Sequence, residues 1–393
     1  MTGLWAEFFR HALRRPRTLA VVAASLVGAA FAGGWVSANH AVAPHASYTK
    51  GPAIAVRTKP APLPAPGAVQ AELERLAAAY GEPVGISVTD VAQGRTASVD
   101  GDQTFPQQSV SKLWVALSVL QAVDDGILHL DQSVVMRAED RSVFYQPLAY
   151  RIRGASGLSI TVADLLRHAL IESDNAANDK LIAEVGGAGV VADAIAKKGL
   201  KGVAVGGTER DVQTKTAGLV WKPEYGLTWV WKAAREQLPE AVRDQALAAY
   251  LANPPDGATP NGITAALTEL KRGELLSRTS TDFMLGLMGE ARTGTSRLRG
   301  GLTPGWALAH KTGTGPDWRG ASVGINDVGL LTAPDGKTYA VAVMIRQTKA
   351  PASARHRIMQ SVTRAVAAQW ATQRDLPADG RQVATSGQMT AGL

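Results

Sequence analysis

FPQQSVSKLWVAL, residues 105–117, is the stretch from which fold and chemistry are best predicted. Its apolar positions predict a helix entered through Phe105 and Pro106. Ser109 and Lys112 stand three residues apart on that helix, so the hydroxyl and the amine share one face and can meet. A lysine takes a proton from serine only where burial or a nearby cation lowers its pKa. The spacing therefore predicts a serine nucleophile with a lysine base, in a site partly closed to water.

The Ser-x-x-Lys spacing is weak on its own, because Ser47 and Lys50 repeat it within a proline-rich stretch. Two further triplets follow it along the chain, SDN at residues 173–175 and KTG at residues 311–313. Three such triplets in this order rarely arise by chance, and the order is that of serine enzymes that react with penicillin. The sequence therefore predicts one serine hydrolase site assembled from distant segments.

Composition excludes several classes of function. Of the 393 residues 46% are hydrophobic and 19% are charged, which predicts a globular protein with a sizeable core. The net charge of +7 is spread along the chain, so nucleic-acid binding is not expected. No cysteine is present, which excludes disulfides, thiolate catalysis and cysteine zinc sites. The seven histidines are scattered without a ligand pair, so neither a metal nor another cofactor is expected.

The first 38 residues are predicted to export the protein, and a linker is predicted to follow them. Arginines 10, 14, 15 and 17 precede a charge-free run over residues 19–36, which predicts a signal peptide or a membrane anchor over residues 1–38. Both alternatives place the rest of the chain in the periplasm or another extracytoplasmic space, either secreted or held at the inner membrane. Residues 39–67 are rich in proline and predict an extended linker.

The folded domain is predicted to span residues 68–372. Helices are expected at residues 68–80 and 352–372, and strands at 84–91, 96–99, 306–314, 322–331 and 339–346. Between them, residues 186–260 have the least regular pattern, with a helix expected at 239–253. Strands at both ends predict an α/β fold whose one sheet joins N- and C-terminal segments, with a helical lobe over about residues 106–294 and a disordered tail over 373–393.

With these motifs placed, the chain resembles the class A serine β-lactamase family among the penicillin-recognising serine hydrolases. The resemblance rests on FPxxSxxK at 105–112, SDNAA at 173–177, DGATP at 256–260, HKTGTG at 310–315 and ND at 326–327. It implies the two-lobed fold of that superfamily, with an antiparallel sheet flanked by helices and an inserted all-α lobe. It also implies a monomeric exported enzyme that opens the β-lactam ring through an acyl-enzyme on Ser109.

The resemblance gives each motif residue a role. Ser109 would attack the lactam carbonyl carbon while Lys112 helps to remove the hydroxyl proton. The backbone N–H groups of Ser109 and Thr314 would hold the oxyanion. The other implied roles are proton relay to the ring nitrogen by Ser173, a positive field from Lys311, binding of the acylamino side chain by Asn175, binding of the substrate carboxylate by Thr312 and Thr314, and a cleft wall from Tyr145.

The sequence departs from the family in the loop that activates the deacylating water. The family pattern there is E-x-x-L-N, and the nearest likeness is WKPEYG at residues 221–226. Glu224 is slightly preferred as the activating carboxylate, with Glu209 as the alternative. The loop is long, since 34 positions separate Lys222 and Asp256, enough for an added helix. An ion pair between Arg210 and Asp256 would close it.

Two other functions remain open from the sequence. If no carboxylate activated water, the acyl-enzyme would persist. The protein would then be a slowly deacylating penicillin-binding protein, or a D-Ala-D-Ala peptidase or transpeptidase acting on peptidoglycan stem peptides. The possible membrane anchor also permits a non-enzymatic envelope sensor of penicillin or peptidoglycan.

Overall fold

The computed structural model describes residues 67–374. The predicted leader, the linker up to residue 66 and the tail from residue 375 lie outside the described residues. Between residues 67 and 374, no helix has both the length and the apolar character needed to cross a membrane.

Strands lie at both ends of the described chain and helices fill its middle. The strands are β1 (Gly85–Asp90), β2 (Thr96–Val99), β3 (Phe105–Pro106), β4 (Ser133–Met136), β5 (Leu158–Thr161), β6 (Gly257–Ala258), β7 (Ala307–Gly313), β8 (Asp317–Trp318), β9 (Ala321–Thr332) and β10 (Thr338–Thr348). The helices are α1 (Gly67–Tyr80), α2 (Lys112–Asp124), α3 (Val162–Arg167), α4 (Asn175–Glu184), α5 (Ala188–Lys197), α6 (Glu209–Thr216), α7 (Thr228–Gln237), α8 (Glu240–Ala252), α9 (Pro260–Lys271), α10 (Arg278–Gly289) and α11 (Ala352–Arg374).

The main sheet is antiparallel and joins N- and C-terminal segments of the described residues, as predicted. Its strand order is β2-β1-β10-β9-β7, and β8 adds to β9. The N-terminal β1 pairs with β10 over its whole length, with Ile86 opposite Val343. The edge strand β7, which carries the KTG triplet, pairs with β9. The site residues of β7 therefore stand at one edge of the sheet, beside the helices.

Each face of the sheet packs against a different layer of helices. Alternate residues of a strand point to opposite faces, and β10 follows this pattern. Its Val341 and Val343 pack in a cluster with residues of α1 and α11. Its Ala342 and Met344 pack in the larger cluster that includes α2, α9 and α10. The sheet is thus buried on both faces, and the helical lobe lies on the face that carries Met344.

The stretch quoted at the outset forms the central helix of the lobe. Residues 112–120 of α2 are all buried, as expected for a helix that is apolar on every side. The chain enters α2 through a 3-10 turn, Gln108–Ser111. Ser109 therefore lies in that turn and not on the predicted α-helix. The tight turn keeps residues three apart on one face, so Ser109 and Lys112 still meet.

The middle of the chain is more regular than its sequence indicates. Residues 186–260 contain α5, α6 and α7 in addition to α8, the one helix that was predicted there. Gly186 and Gly187 precede α5, and such glycines obscure a helical pattern. The hairpin of β4 and β5 was also missed, because its strands are only four residues long.

Candidate active site

A cleft of about 400 Å³ lies between the helical lobe and the edge strand β7. Six of the predicted site residues line it, namely Ser109, Tyr145, Ser173, Asn175, Thr312 and Thr314. Lys112 and Lys311 lie fully buried beneath its wall. Tyr145 remains 56% exposed at its side. The three triplets, which are far apart in sequence, therefore meet at one place.

Lys112 uses all three of its ammonium hydrogens on residues of the site. Its Nζ donates to Ser109 Oγ at 2.9 Å and to Asn175 Oδ1 at 3.0 Å. It also donates to Glu209 Oε1 and forms a buried ion pair with that carboxylate. The hydroxyl, the amine and the carboxylate thus form one continuous hydrogen-bonded chain. A proton can pass along this chain from Ser109 to Glu209.

Glu209 is held in place by the helix that it begins. Thr208 caps α6 by accepting a hydrogen bond from the backbone N–H of Asp211. Asp179 of α4 accepts the backbone N–H of Glu209 at 2.6 Å and that of Arg210 at 3.1 Å. These contacts fix the first turn of α6 with the Glu209 carboxylate on the cleft wall.

The preference for Glu224 over Glu209 does not survive in the structure. Glu224 lies exposed in a 3-10 turn, Pro223–Gly226, and is not among the residues that line the cleft. Its neighbour Tyr225 turns inward instead, into a cluster with Val143 and Trp231. The turn is thus anchored by its aromatic residue, and this leaves Glu224 in solvent.

Ser173 and Lys311 form the second hydroxyl–amine pair of the site. Ser173 has a left-handed backbone, with φ of 65°, at the end of a π-helical turn. Asp174 next to it caps α4 and also accepts the backbone N–H of Leu148 at 2.7 Å. Lys311 Nζ donates to Ser173 Oγ at 2.8 Å. Burial, and then the charge of Lys112, lower the pKa of Lys311 well below its usual value.

Gly313 lets β7 approach the turn that carries Ser109. A Cβ at this position would lie 2.2 Å from the backbone oxygen of Gln107, so only glycine fits. Asn326 Nδ2 donates to the carbonyls of Pro106 and Gln107 at 2.8 and 2.9 Å. This clamp holds Thr314, the residue after Gly313, on the same cleft as Ser109.

Arg297 is a cleft residue that no motif indicated. Its guanidinium donates to Thr314 Oγ1 at 2.6 Å and to the carbonyls of Gly313 and Asn326 at 2.8 and 2.7 Å. Nearby, the hydroxyls of Thr312 and Thr293 are hydrogen-bonded at 2.7 Å. This end of the cleft therefore presents a cation and several hydroxyls, which suit a carboxylate.

Gln213 is a second cleft residue that sequence analysis missed. It lies one turn after Glu209 on α6, and its Nε2 donates to Glu209 Oε2 at 3.3 Å and to Gln108 Oε1 at 2.9 Å. The i, i+4 spacing from an acidic residue is the one signal in the sequence. Gln213 thus fixes the carboxylate oxygen that Lys112 does not hold.

Asp256 closes the extended loop by a different contact from the one predicted. It accepts hydrogen bonds from Tyr250 Oη at 2.8 Å and from the backbone N–H of Gln108 at 2.7 Å. Burial raises its pKa to about 6. The predicted ion pair with Arg210 is wrong, because Arg210 donates to the carbonyl of Glu139 and lies 5.4 Å from the centre of the Trp221 ring.

Comparisons with known proteins agree with this geometry. A family model described as the Beta-lactamase enzyme family matches residues 68–370. The β-lactamase VEB-1 of Pseudomonas aeruginosa is 24% identical over 296 residues, which are 75% of this chain and 87% of that protein. The extended-spectrum β-lactamase PER-1 of the same organism is 29% identical over 266 residues, 67% of this chain and 75% of that protein.

Solved structures match over a similar length. A β-lactamase from Chitinophaga pinensis DSM 2588 superimposes with a TM-score of 0.61 and 26% identity, covering 77% of this chain and 99% of that one. The TLA-3 extended-spectrum β-lactamase gives a TM-score of 0.63 at 23% identity, covering 77% and 98%, and this second likeness supports the fold alone.

Proposed function

The chain belongs to the β-lactamase enzyme family, and from this membership we propose that it hydrolyses β-lactams through an ester on Ser109. The observation that carries the proposal is the hydrogen-bonded chain from Ser109 through Lys112 to Glu209 on the wall of one cleft. It supplies a nucleophile, a base and a carboxylate that can serve the second half of the reaction.

In the first step Ser109 Oγ bonds to the lactam carbonyl carbon. A charged Lys112 cannot accept the hydroxyl proton, so it first gives a proton to the contacting Glu209 carboxylate. The neutral amine then takes the Ser109 proton. Charge develops on the carbonyl oxygen, where the backbone N–H groups of Ser109 and Thr314 are the donors that stabilise it.

The ring C–N bond breaks next, and the departing nitrogen needs a proton. Ser173 donates it, and Lys311, hydrogen-bonded to Ser173 Oγ at 2.8 Å, returns a proton to the serine. The lowered pKa of Lys311 supports this role, because an amine of low pKa gives up its proton readily.

Deacylation requires a base beside the ester, and Glu209 fits this role. Its Oε1 contacts Lys112, while Gln213 holds its Oε2 on the cleft wall. Before this step Glu209 releases to solvent the proton that it took from Lys112, and Lys311 regains one from solvent. Glu209 then takes a proton from an attacking water, whose oxygen bonds to the acyl carbon. As the ester C–O bond breaks, Lys112 returns a proton to Ser109 Oγ and is itself reprotonated by Glu209. This carboxylate favours hydrolysis over a penicillin-binding protein whose acyl-enzyme persists.

The polar groups on the two sides of Ser109 in the cleft orient the substrate. Arg297, Thr312 and Thr314 bind the carboxylate of the ring fused to the lactam. Asn175, whose Oδ1 is held by Lys112, is the partner for the acylamino group. Tyr145 supplies a wall of the cleft.

We also propose that the protein acts outside the cytoplasm as a monomer. The four arginines before the charge-free run of residues 19–36 support export. The mass of the protein recovered from the cell envelope distinguishes a cleaved signal peptide from a retained anchor.

The test is turnover of a chromogenic cephalosporin, followed together with the intact mass of the protein. Wild type releases many equivalents of product, whereas Ser109→Ala releases none and gains no mass. Ser111→Ala is the matched control, since this serine of the same turn donates to the carbonyl of Gln108 and should retain activity. Release of a single equivalent by wild type, with a lasting mass increase, would contradict hydrolysis.

A further inference from the structure

A small second pocket adjoins the catalytic cleft. The two share Phe144, Gln213 and Pro316, and the second has a volume of about 20 Å³, against about 400 Å³ for the cleft. Much of its remaining wall comes from α7 and α8 of the extended loop, and Trp318 of β8 faces them. The pocket therefore lies where the loop insertion meets the cleft. None of the groups assigned to the ring carboxylate lines it.

Two arginines of the insertion face this pocket. The Cζ atoms of Arg235 and Arg243 lie 5.1 and 4.4 Å from the centre of the Trp318 ring, which is within cation–π range. Within residues 67–374 neither guanidinium has an ion pair, and the Nε of Arg243 is buried without a hydrogen-bond partner. Two like charges on one ring repel each other.

The carboxylates nearest to these arginines are already engaged. Arg319 also lies at the Trp318 ring, and it pairs with Glu240 at 2.9 Å and with Asp244 at 2.8 Å. The other oxygen of Asp244 accepts the Trp318 indole N–H at 2.6 Å. Glu236 acts on Arg235 only through the electrostatic effect of its negative charge. Arg235 and Arg243 are thus left to an anion from outside the protein.

We propose that Arg235 and Arg243 form a subsite for a carboxylate on the acyl side chain of the β-lactam. The planar forks of two guanidiniums suit a carboxylate, and Trp318 and Phe144 supply flat apolar walls for the atoms that lead to it. Gln213, shared by both pockets, contacts Glu209, so the subsite begins beside the reacting ester. The inference rests on the proposed function, because it assigns part of the substrate of that site.

The experiment uses a cephalosporin with a carboxymethoxyimino acyl side chain and the methyl ester of that side-chain carboxylate. The two probes differ in one charge. Arg235→Gln and Arg243→Gln should each raise KM for the carboxylate about tenfold or more, the usual effect of losing one charged hydrogen bond. KM for the ester should stay unchanged. Lys232→Gln is the control, because this exposed lysine of α7 does not line the pocket, and it should leave the ratio of the two KM values as in wild type.

The outcomes separate this proposal from the proposed function. Hydrolysis of the ester reports the function alone. If neither probe is hydrolysed, calorimetry with the Ser109→Ala protein still compares the binding of carboxylate and ester. The double variant carries both Arg235→Gln and Arg243→Gln. If the ratio of the KM for the ester to the KM for the carboxylate is the same in this variant as in wild type, the subsite is overturned. Sulfate is the probe for a free anion. If the KM ratios are equal and sulfate raises the Tm of wild type but not of the double variant, the pocket binds a free anion. That result would overturn the assignment to substrate.

Discussion

At the scale of single residues, three buried carboxylates lie around the turn that carries Ser109. Glu209 pairs with the Lys112 ammonium, Asp179 with two backbone N–H groups and the Ser142 hydroxyl, and Asp256 with Tyr250 and a backbone N–H. A buried carboxylate without a cation favours its protonated form. Glu209, which pairs with a cation, therefore serves catalysis, whereas Asp179 and Asp256, which pair with neutral groups, serve structure.

Glu209→Gln should separate acylation from deacylation. Without the carboxylate, the hydrogen-bonded pair of Ser109 and Lys112 stays in place, and the ester on Ser109 still forms once Lys112 gives a proton to solvent instead of to Glu209. Deacylation loses its base and should slow by about 10²- to 10⁴-fold. Intact mass spectrometry should then show a lasting acyl-enzyme. Glu224→Gln is the control and should turn over like wild type; the reverse pattern would return the role to Glu224.

Asp179 should make stability depend on pH. Burial, and then the charge of Glu209, raise its pKa from 3.8 to about 6. The folded protein thus keeps a proton that the unfolded chain releases between these values. The stabilising contribution is complete below about pH 4 and is lost as the pH rises through about 6.

Asp179→Asn removes this dependence. The free energy of unfolding of wild type, relative to the variant, should fall by roughly 1–3 kcal/mol between pH 4 and pH 7. Urea unfolding at a series of pH values measures it. Asp193→Asn, at an exposed position of α5, should give a flat difference. If the difference in the free energy of unfolding between wild type and Asp179→Asn is also independent of pH, the pKa of Asp179 is the same in the folded and unfolded states.

The sequence indicates the site residues that stand in motifs and misses those that tertiary contacts place there. Ser109, Ser173 and Thr312 belong to ordered triplets and line one cleft. Glu209 lies in no such triplet, and its position depends on Asp179, which is 30 residues away. Arg297 reaches the cleft from a turn without a recognisable pattern.

At the scale of elements, α6 places Glu209 and Gln213 on the wall of the cleft. It begins with Thr208 and Asp211, and α3 begins in the same way with Thr161 and Asp164. In both cases the threonine accepts the backbone N–H of the aspartate three residues later. The capping pattern that begins α3 is therefore also present at the start of α6, next to Glu209.

Thr208→Ala should destabilise the first turn of α6. Loss of an N-cap costs about 0.5–2 kcal/mol, and a looser turn would misplace Glu209. We expect a lower Tm and a slower deacylation step with little change in acylation. Thr161→Ala is the matched control, since the same cap on α3 should lower the Tm and leave both rates unchanged. Equal deacylation rates in the two variants would contradict a positioning role for the cap.

The length of the loop between Lys222 and Asp256 predicted that it contains helix, but not how many helices. The number of residues between Lys222 and Asp256 predicted room for one added helix, and the structure has two, α7 and α8. Trp231 is the one residue of α7 that is buried. Its partners are aromatic residues from elsewhere, such as Phe144, whose ring centre lies 4.6 Å from that of Trp231.

At the scale of the whole molecule, one core joins the sheet to the helical lobe. Met344 of β10 is fully buried in the cluster that also contains residues of α2 and α10. Met344→Ala should lower the free energy of unfolding by about 2–5 kcal/mol. Circular dichroism and tryptophan fluorescence should give coincident transitions, because sheet and lobe lose contacts together. Val242→Ala, at a 39% exposed site, should change stability little; two separate transitions would show independent lobes.

The pairing of β1 with β10 also sets the time at which folding can finish. A strand at residues 85–90 obtains its neighbour from residues 338–348, so the ribosome must pass residue 338 before the sheet can close. Contacts this remote in sequence form slowly. For the exported enzyme that we propose, the delay is an advantage, since an unclosed chain stays extended enough to thread a narrow translocation channel before it collapses.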